Sequence, residues 1–393
     1  MNGGLSKDRL DRMREILTAY VTSGELPGFV ALLHRRGETY VAAAGTLEAG
    51  GAAPMRRDTI FRMASMTKPI TAVAALILVE ECRLRLDDPV DALLPELANR
   101  RVLRSPDAEL DDTVPAVRPI TLRDLLTFRL GIGMVVAEPG THPIQRAIGE
   151  SGIAPGPDNV PFGPDEWMRR LAGLPLVHQP GEGWMYHIGA DALGVLIGRA
   201  AGQPFADFLR ERVFTPLGMA DTGFHVPPDR RDRLAVAYDT DPATGAPVRR
   251  DDPRDRPPAF ASGGGGLVST ADDYLAFCRM LLNGGRHDGG RILSRPAVEV
   301  MTSDQLTPAQ KAGNEMFLGP GGWGFGVQVD TAIADLYIRP GRFGWTGGLG
   351  TTAYSDPAEG MAGMLLTQRA MTSPVPPRAM ADFWTCAYAA IDD

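Results

Sequence analysis

The sequence predicts an α/β (α+β) chain in which a sheet flanked by terminal helices is assembled from both ends around a mainly helical insertion. Two observations predict it. Strand signals cluster near the N-terminus and return after about residue 320, while the middle reads as short helical segments separated by Pro/Gly-rich stretches. A length of 393 residues suggests two or more core-forming units, here interleaved in sequence. The boundaries that follow are 1-85 and 290-393 for the α/β unit and 86-289 for the helical one, with a site in the cleft between them.

Taken in order, Leu5 to Thr22 alternates charged residues with Leu10, Met13, Ile16, Leu17 and Tyr20, the pattern of an amphipathic helix. Phe29 to Leu33 and Tyr40 to Ala44 flank Arg36-Gly37 and read as a hairpin. Phe61 to Thr71 reads as a loop entering a helix that reaches about Cys82. Helical segments follow at Thr121 to Leu126, Pro164 to Ala172, Ala190 to Ala201 and Phe205 to Val213. Met134 to Phe162 is a long irregular segment of the kind that borders a site, and Asp241 to Pro258, dense in Pro, Asp and Arg, reads as a solvated loop. Ser262-Gly263-Gly264-Gly265-Gly266-Leu267 lacks the Gly-Lys-Ser/Thr end of a phosphate loop, so its glycines mark a close approach of backbone to something else. Ser269-x-x-Asp272 caps a helix holding Tyr274 to Leu282. Strands are expected at Trp323 to Val329, Ala334 to Ile338, Thr351 to Ser355 and Met361 to Thr367, and a last helix at about Pro377 to Ile391.

Composition narrows the partners. The chain is 44% hydrophobic and 22% charged, ordinary for a globular protein, and its formal net charge of -8 argues against nucleic acid or an anionic membrane surface. No run approaches the length of a membrane span, and Met1-Asn2-Gly3-Gly4 opens no apolar signal region, so the expected compartment is the cytoplasm. Cys82, Cys278 and Cys386 follow no metal-ligand spacing and read as buried small hydrophobes. Histidines other than His187 have no acidic or histidine partners at metal spacing, and no metal and no other cofactor is expected.

The chemistry centres on Ser65-Met66-Thr67-Lys68. Residues three apart on a helix share a face, so Ser65 and Lys68 point the same way. A serine hydroxyl is a poor nucleophile until a base takes its proton, and a lysine amine is that base only where its surroundings hold it neutral. Ser-x-x-Lys is the corresponding signature. The spacing also arises by coincidence in a chain this long, so its company decides. Tyr186, in the loop Gly181-Glu182-Gly183-Trp184-Met185-Tyr186, can share a proton with Lys68, whose ammonium favours the phenolate. Gly344-Trp345-Thr346-Gly347-Gly348 offers a glycine-rich strand edge that admits substrate and turns backbone N–H groups toward a developing oxyanion. His187, next to Tyr186, reads as structural.

These three elements come in the order and approximate spacing of the serine β-lactamase and penicillin-binding-protein superfamily. Phe61-Arg62-x-Ala64-Ser65-x-Thr67-Lys68-Pro69, Pro180-Gly181-x-x-Trp184-x-Tyr186 followed by Asp191-Ala192-Leu193-Gly194, and Gly322-Trp323-Gly324-Phe325-Gly326 resemble the class C β-lactamase-related esterases, the family VIII carboxylesterases. The resemblance runs from about residue 10 to the C-terminus. It implies a β-lactamase-like fold with an antiparallel sheet, Ser65 as acylated nucleophile, and Lys68 and Tyr186 as the groups that activate it and protonate the leaving alcohol. It further implies an oxyanion hole from the backbone N–H groups of Ser65 and Gly348. The expected pocket comprises Trp345, Thr346, Gly347, Trp184 and Phe343, with Met185 beside them.

Three departures matter. Trp345 stands where β-lactamases carry the lysine of Lys-Thr-Gly, which favours neutral esters. Tyr186-His187-Ile188 lacks the amide of Tyr-x-Asn, and Phe128 follows Leu125-Leu126-Thr127 where many relatives have His. The chain also lacks Gly-x-Ser-x-Gly, and its last histidine, His287, is too early for an α/β-hydrolase. The expected activity is hydrolysis of small to medium acyl esters. A β-lactamase or D-aminopeptidase, an acyltransferase and a non-catalytic binding relative remain open at this point, as does the oligomeric state.

Overall fold

The computed structural model describes residues 3–138 and 140–393. Met1 and Asn2, part of the N-terminal stretch considered above, lie outside the described residues. Helix α1 (Lys7–Thr22) turns Leu10, Met13 and Leu17 inward. Strands β1 (Gly28–Arg35) and β2 (Glu38–Gly45) form the expected hairpin. Its two turn residues, Arg36 and Gly37, have φ of 48° and 89°, the positive values that a tight turn matched to strand twist requires.

Helix α2 (Thr67–Glu80) runs through the middle of the molecule and is apolar on nearly every side, as a fully enclosed helix must be. Helices α3 (Ile188–Ala201) and α4 (Ala271–Leu282) follow. The C-terminal part supplies β3 (Gly322–Trp323), β4 (Gln328–Val329), β5 (Phe343–Gly347), β6 (Thr351–Asp356), β7 (Met361–Thr367) and helix α5 (Arg378–Ala389). Among the described residues these strands join the N-terminal hairpin in one sheet of order β3-β4-β5-β6-β7-β1-β2, antiparallel throughout.

Both faces of that sheet are covered, which is why Phe29 to Leu33 reads as a continuous apolar run. Phe29, Ala31, Leu33 and Leu365 pack with α1 and α5. Val30, Leu32, Met364 and Leu366 face the large core that contains α2 and α3. A Cβ on Gly363 would come within 2.9 Å of the Trp384 ring, so this glycine lets α5 lie close on β7. Helix α4 also touches β1, β6 and β7, although its residues fall inside the 86-289 segment.

Several expected elements shift. The Trp323 to Val329 run divides into β3 and β4, because Gly326, at φ 68°, turns the chain inward against Lys68 and Ala72. Ala334 to Ile338 is not a strand. The chain from 330 to 342 forms a loop closed by the Asp330–Arg342 ion pair at 2.9 Å, leaving Ile333 and Leu336 70% and 61% exposed. The cap of α4 is Thr270, which accepts from the Asp273 N–H, while Ser269 lies one residue earlier in a short bridge to Phe61. Of the three cysteines expected to be buried, Cys278 is, whereas Cys386 is half-buried and Cys82 exposed.

Asp241 to Pro258 is only partly a surface loop. Asp252 is buried between two buried arginines, 3.0 Å from Arg62 Nε and 2.8 Å from Arg254 Nε. Burial pushes the Asp252 carboxyl up, but the charges of Arg254 and Arg62 outweigh it and hold the carboxyl below its ordinary range. Removing the shared carboxylate strands two guanidiniums in the interior. Asp252→Ala should therefore destabilise the fold by about 3–5 kcal/mol in denaturant unfolding. A loss below about 1 kcal/mol would show that the cluster contributes little to holding the fold.

Candidate active site

Ser65 occupies a single 3₁₀ turn, Ala64–Met66, that leads directly into α2. Ala64 has φ 45°, a left-handed conformation that costs a residue with a side chain about 1–2 kcal/mol. Neighbours hold it there. Met63 N donates to Leu267 O at 2.8 Å, the Tyr274 hydroxyl donates to Met66 O at 2.9 Å, and the Thr351 hydroxyl donates to Met63 O at 3.1 Å. Strain persists where surrounding structure over-determines it, and here it adjoins the candidate nucleophile.

One turn on, Lys68 is fully enclosed. Its Nζ lies 2.9 Å from Ser65 Oγ, 2.5 Å from Gly264 O and 3.2 Å from His187 Nδ1, with the Tyr186 ring centre 4.4 Å away. Burial pulls the ammonium down to about 7, and the negative charge of Asp191 opposes this only in part. A base titrating near neutrality thus stands within reach of the serine proton.

Tyr186 completes the cluster. Trp345 Nε1 donates to its hydroxyl at 2.6 Å. An indole N–H only donates, so the phenol oxygen accepts there, and the same hydroxyl lies within hydrogen-bonding reach of Ser65. Burial raises the phenol well above its ordinary value, although the hydrogen bonds with Ser65 and Trp345 pull the other way. This corrects the expectation of a phenolate. Burial favours the neutral phenol at Tyr186 and the neutral amine at Lys68.

Among the described residues β4 pairs with Phe343 and Gly344 of β5, and the stretch beyond Gly344 has no strand partner on that side. The free stretch runs beside the Ser65 turn. A Cβ on Gly347 would come 2.3 Å from Met63 O, so glycine is what allows the strand to lie so close. Ser65, Tyr186, Trp345, Thr346 and Gly348 all line one cleft of about 590 Å³. Its other walls are largely apolar, with Met134, Phe317, Ile338, Met371 and Met380 among them.

Four expected pocket residues do not line it. Gly347 is pressed against Met63. Phe343 shares the sheet face of Trp345 by strand alternation, but it lies at the far end of β5, beside Val329 on β4 and within the large core. Met185 belongs to the same core. Trp184 lies behind Tyr186, ring centres 5.8 Å apart, inside a cluster with Phe128, Phe317 and Trp323. Phe128, in the motif position where relatives carry His, is part of this rigid backing, 4.8 Å from Trp323.

His187 is not the isolated structural residue expected. It joins Lys68 to Asp191, its Nε2 lying 3.2 Å from Asp191 Oδ2. The glycine stretch approaches this group: Gly264 supplies the carbonyl on Lys68, and its N–H donates to Asp191 Oδ1 at 2.9 Å. His187 and Asp191 are four residues apart, the helical neighbour spacing that could have revealed the pair. The Trp345–Tyr186 bond leaves no comparable sequence signal. Trp345→Phe, which removes this N–H, should lower the rate constant for ester hydrolysis about three- to tenfold with little change in KM. An unchanged rate constant in steady-state kinetics would mean the indole serves only as a wall.

An antiparallel sheet with helices on both faces, carrying this serine–lysine–tyrosine cluster at its margin, defines a serine hydrolase of β-lactamase-like fold. The chain belongs to the beta-lactamase family: residues 13–383 match the family model Beta-lactamase. It is 39% identical over 375 residues to Protein Rv1367c of Mycobacterium tuberculosis (strain ATCC 25618 / H37Rv), covering 91% of this chain and 90% of that one. Against Esterase EstB of Burkholderia gladioli the identity is 34% over 379 residues, again 91% and 90% of the two chains. Among solved structures it is similar to EstCE1, described as a hydrolase with promiscuous acyltransferase activity. That match has a TM-score of 0.81 at 26% identity and covers 97% of this chain and 99% of that one.

Proposed function

We propose that the chain hydrolyses carboxylic esters of small to medium acyl length through an acyl-enzyme on Ser65. The observation that carries this reading is the enclosed Lys68 Nζ, 2.9 Å from Ser65 Oγ. Lys68 takes the Ser65 proton as Oγ bonds to the ester carbon, and the N–H groups of Ser65 and Gly348 receive the carbonyl oxygen as it gains charge. Collapse of the tetrahedral intermediate breaks the bond to the alcohol oxygen, which takes the proton that Lys68 accepted. Water then attacks the acyl-enzyme with Lys68 again accepting a proton, and Ser65 is released.

Substrate class follows from the walls. Trp345 puts an uncharged indole at the position of the β-lactamase lysine, and the cleft is mostly apolar, so a neutral ester fits better than a carboxylate-bearing lactam. The likeness to Esterase EstB supports the same reading. The same account divides the chain into 1-85 with 290-393 and 86-289, α4 joining the sheet-bearing unit through its contacts with β1, β6 and β7. Its three free cysteines favour the cytoplasm. Among the described residues no helix is long and apolar enough to cross a membrane, and no group of three or more His, Cys, Asp or Glu side chains is placed to hold a metal ion.

The test is hydrolysis of p-nitrophenyl acetate, butyrate and octanoate beside nitrocefin. Ester turnover with little nitrocefin turnover is expected, and the reverse would overturn the assignment. One further reading is favoured by a particular observation: EstCE1 is described as a hydrolase that also transfers acyl groups. Product analysis with an added alcohol separates the two, since acyl transfer yields a new ester in place of free acid.

A further inference from the structure

We propose that His187, held in one tautomer by Asp191, is a positioning residue that aims the lone pair of neutral Lys68 at the Ser65 hydroxyl. The inference rests on the reading of Ser65 and Lys68 given above and adds what orients the base. A neutral amine has two N–H groups and one lone pair, and three groups surround Nζ here. Gly264 O, at 2.5 Å, only accepts, so it takes one N–H. His187 Nδ1, at 3.2 Å, takes the second only if it carries no hydrogen. Asp191 fixes that condition. Its Oδ2 lies 3.2 Å from His187 Nε2, and an ionised carboxylate only accepts, so the ring hydrogen resides on Nε2 and Nδ1 presents a lone pair. One direction remains at the amine, and Ser65 Oγ lies there at 2.9 Å.

The opposite tautomer would reverse the outcome. A hydrogen on Nδ1 would occupy the amine lone pair and leave an N–H facing Ser65, unable to accept its proton. In the assigned tautomer, transfer moves one proton from Oγ to Nζ while the Oγ electron pair forms the bond to the ester carbon. The three N–H groups of the resulting ammonium then meet Gly264 O, His187 Nδ1 and the oxygen side, with no heavy atom displaced. That is preorganisation in the strict sense.

Independent features hold the arrangement. Asp191 Oδ1 accepts from Ser262 Oγ at 2.6 Å and from Gly264 N at 2.9 Å, so the carboxylate cannot rotate freely. His187 has φ 85° and ψ −65°, a strained conformation for a residue with a side chain. A Cβ on Gly264 would come 2.8 Å from His187 Nε2, so glycine there makes room for the ring. The chain has Ile188, fully buried, at the position of the amide in Tyr-x-Asn, and His187 supplies an acceptor to the lysine from the adjacent position. The groups facing Lys68 and His187 are Ser65, the Tyr186 ring, Asp191 and the Gly264 carbonyl.

The experiment is ¹⁵N-resolved histidine NMR of the full chain, with His187 assigned by His187→Asn, together with kinetics of Asp191→Asn. In the wild type, His187 should show Nε2 protonated and Nδ1 bare across neutral pH. In Asp191→Asn, the Gly264 N–H keeps the amide oxygen, so the amide nitrogen faces Nε2 and drives the hydrogen to Nδ1. The rate constant for p-nitrophenyl butyrate should then fall about 10²-fold with KM little changed. A wild-type His187 protonated on Nδ1, or on both nitrogens, overturns the proposal. So does a flipped tautomer in Asp191→Asn with the rate constant preserved. If Asp191→Asn fails to fold, the wild-type spectrum alone decides. Fluorophosphonate labelling of Ser65 separates the two levels. Labelling with the wrong tautomer defeats only this inference, whereas turnover that survives Ser65→Ala defeats the acyl-enzyme reading whatever the tautomer.

Discussion

Ser65→Ala is expected to lower kcat/KM for p-nitrophenyl butyrate by about 10⁴-fold or more while the protein stays folded. The loss is large because the hydroxyl is the atom that forms the covalent bond, so no neighbour can substitute for it. Whatever turnover remains comes from binding and the backbone N–H groups. Folding is spared for a simple reason. The substitution removes one buried hydroxyl and its hydrogen bond to Lys68, worth about 1 kcal/mol, and leaves the strained Ala64 turn held by Leu267, Tyr274 and Thr351. Esterase assays set beside thermal unfolding check both halves.

Lys68→Met should cost about 10²–10⁴-fold in kcat/KM, the usual range for a general base. Methionine keeps the length and suits an apolar enclosure but accepts no proton. The wild-type pH profile carries the same signature. Lys68 titrates at about 7 because burial disfavours its ammonium, so below that pH the protonated amine cannot accept, and kcat/KM should fall tenfold per unit. That acid limb should vanish in the mutant. Stability is linked with a definite sign. The folded-state value lies below the unfolded value of about 10.4, so between these limits the unfolded chain binds more protons and wild-type stability rises with pH. Lys68→Met should lose this slope, as pH-dependent denaturant melts will show. A retained acid limb would assign the proton acceptor to another group.

How much of this was legible beforehand depended on how local the signal was. Ser65 and Lys68 are one helical turn apart, so spacing alone predicted their shared direction, and the Gly263–Gly266 run correctly signalled a close backbone approach. The hairpin at Arg36-Gly37 and the strands at 351–356 and 361–367 were readable for the same reason. What escaped was non-local. Arg62 meets Asp252 across 190 positions, and Trp345 meets Tyr186 across 159. Neither pairing imprints a period on the chain. Aromatic identity misled at Trp184 and Phe343, because size predicts burial without saying whether a ring faces a cleft or the core behind it. His187 stands between the two cases: Asp191, four residues on, is at a readable helical spacing, whereas Lys68 lies far back in sequence.

The account stands most directly on one observable, the residue that carries the acyl group during turnover. Rapid-quench intact-mass spectrometry with p-nitrophenyl butyrate, followed by peptide mapping, reads it out. The account predicts a butyryl adduct confined to the Ser65 peptide of the wild type and absent from Ser65→Ala. A butyryl group on any other residue, or full ester turnover by Ser65→Ala, would contradict it.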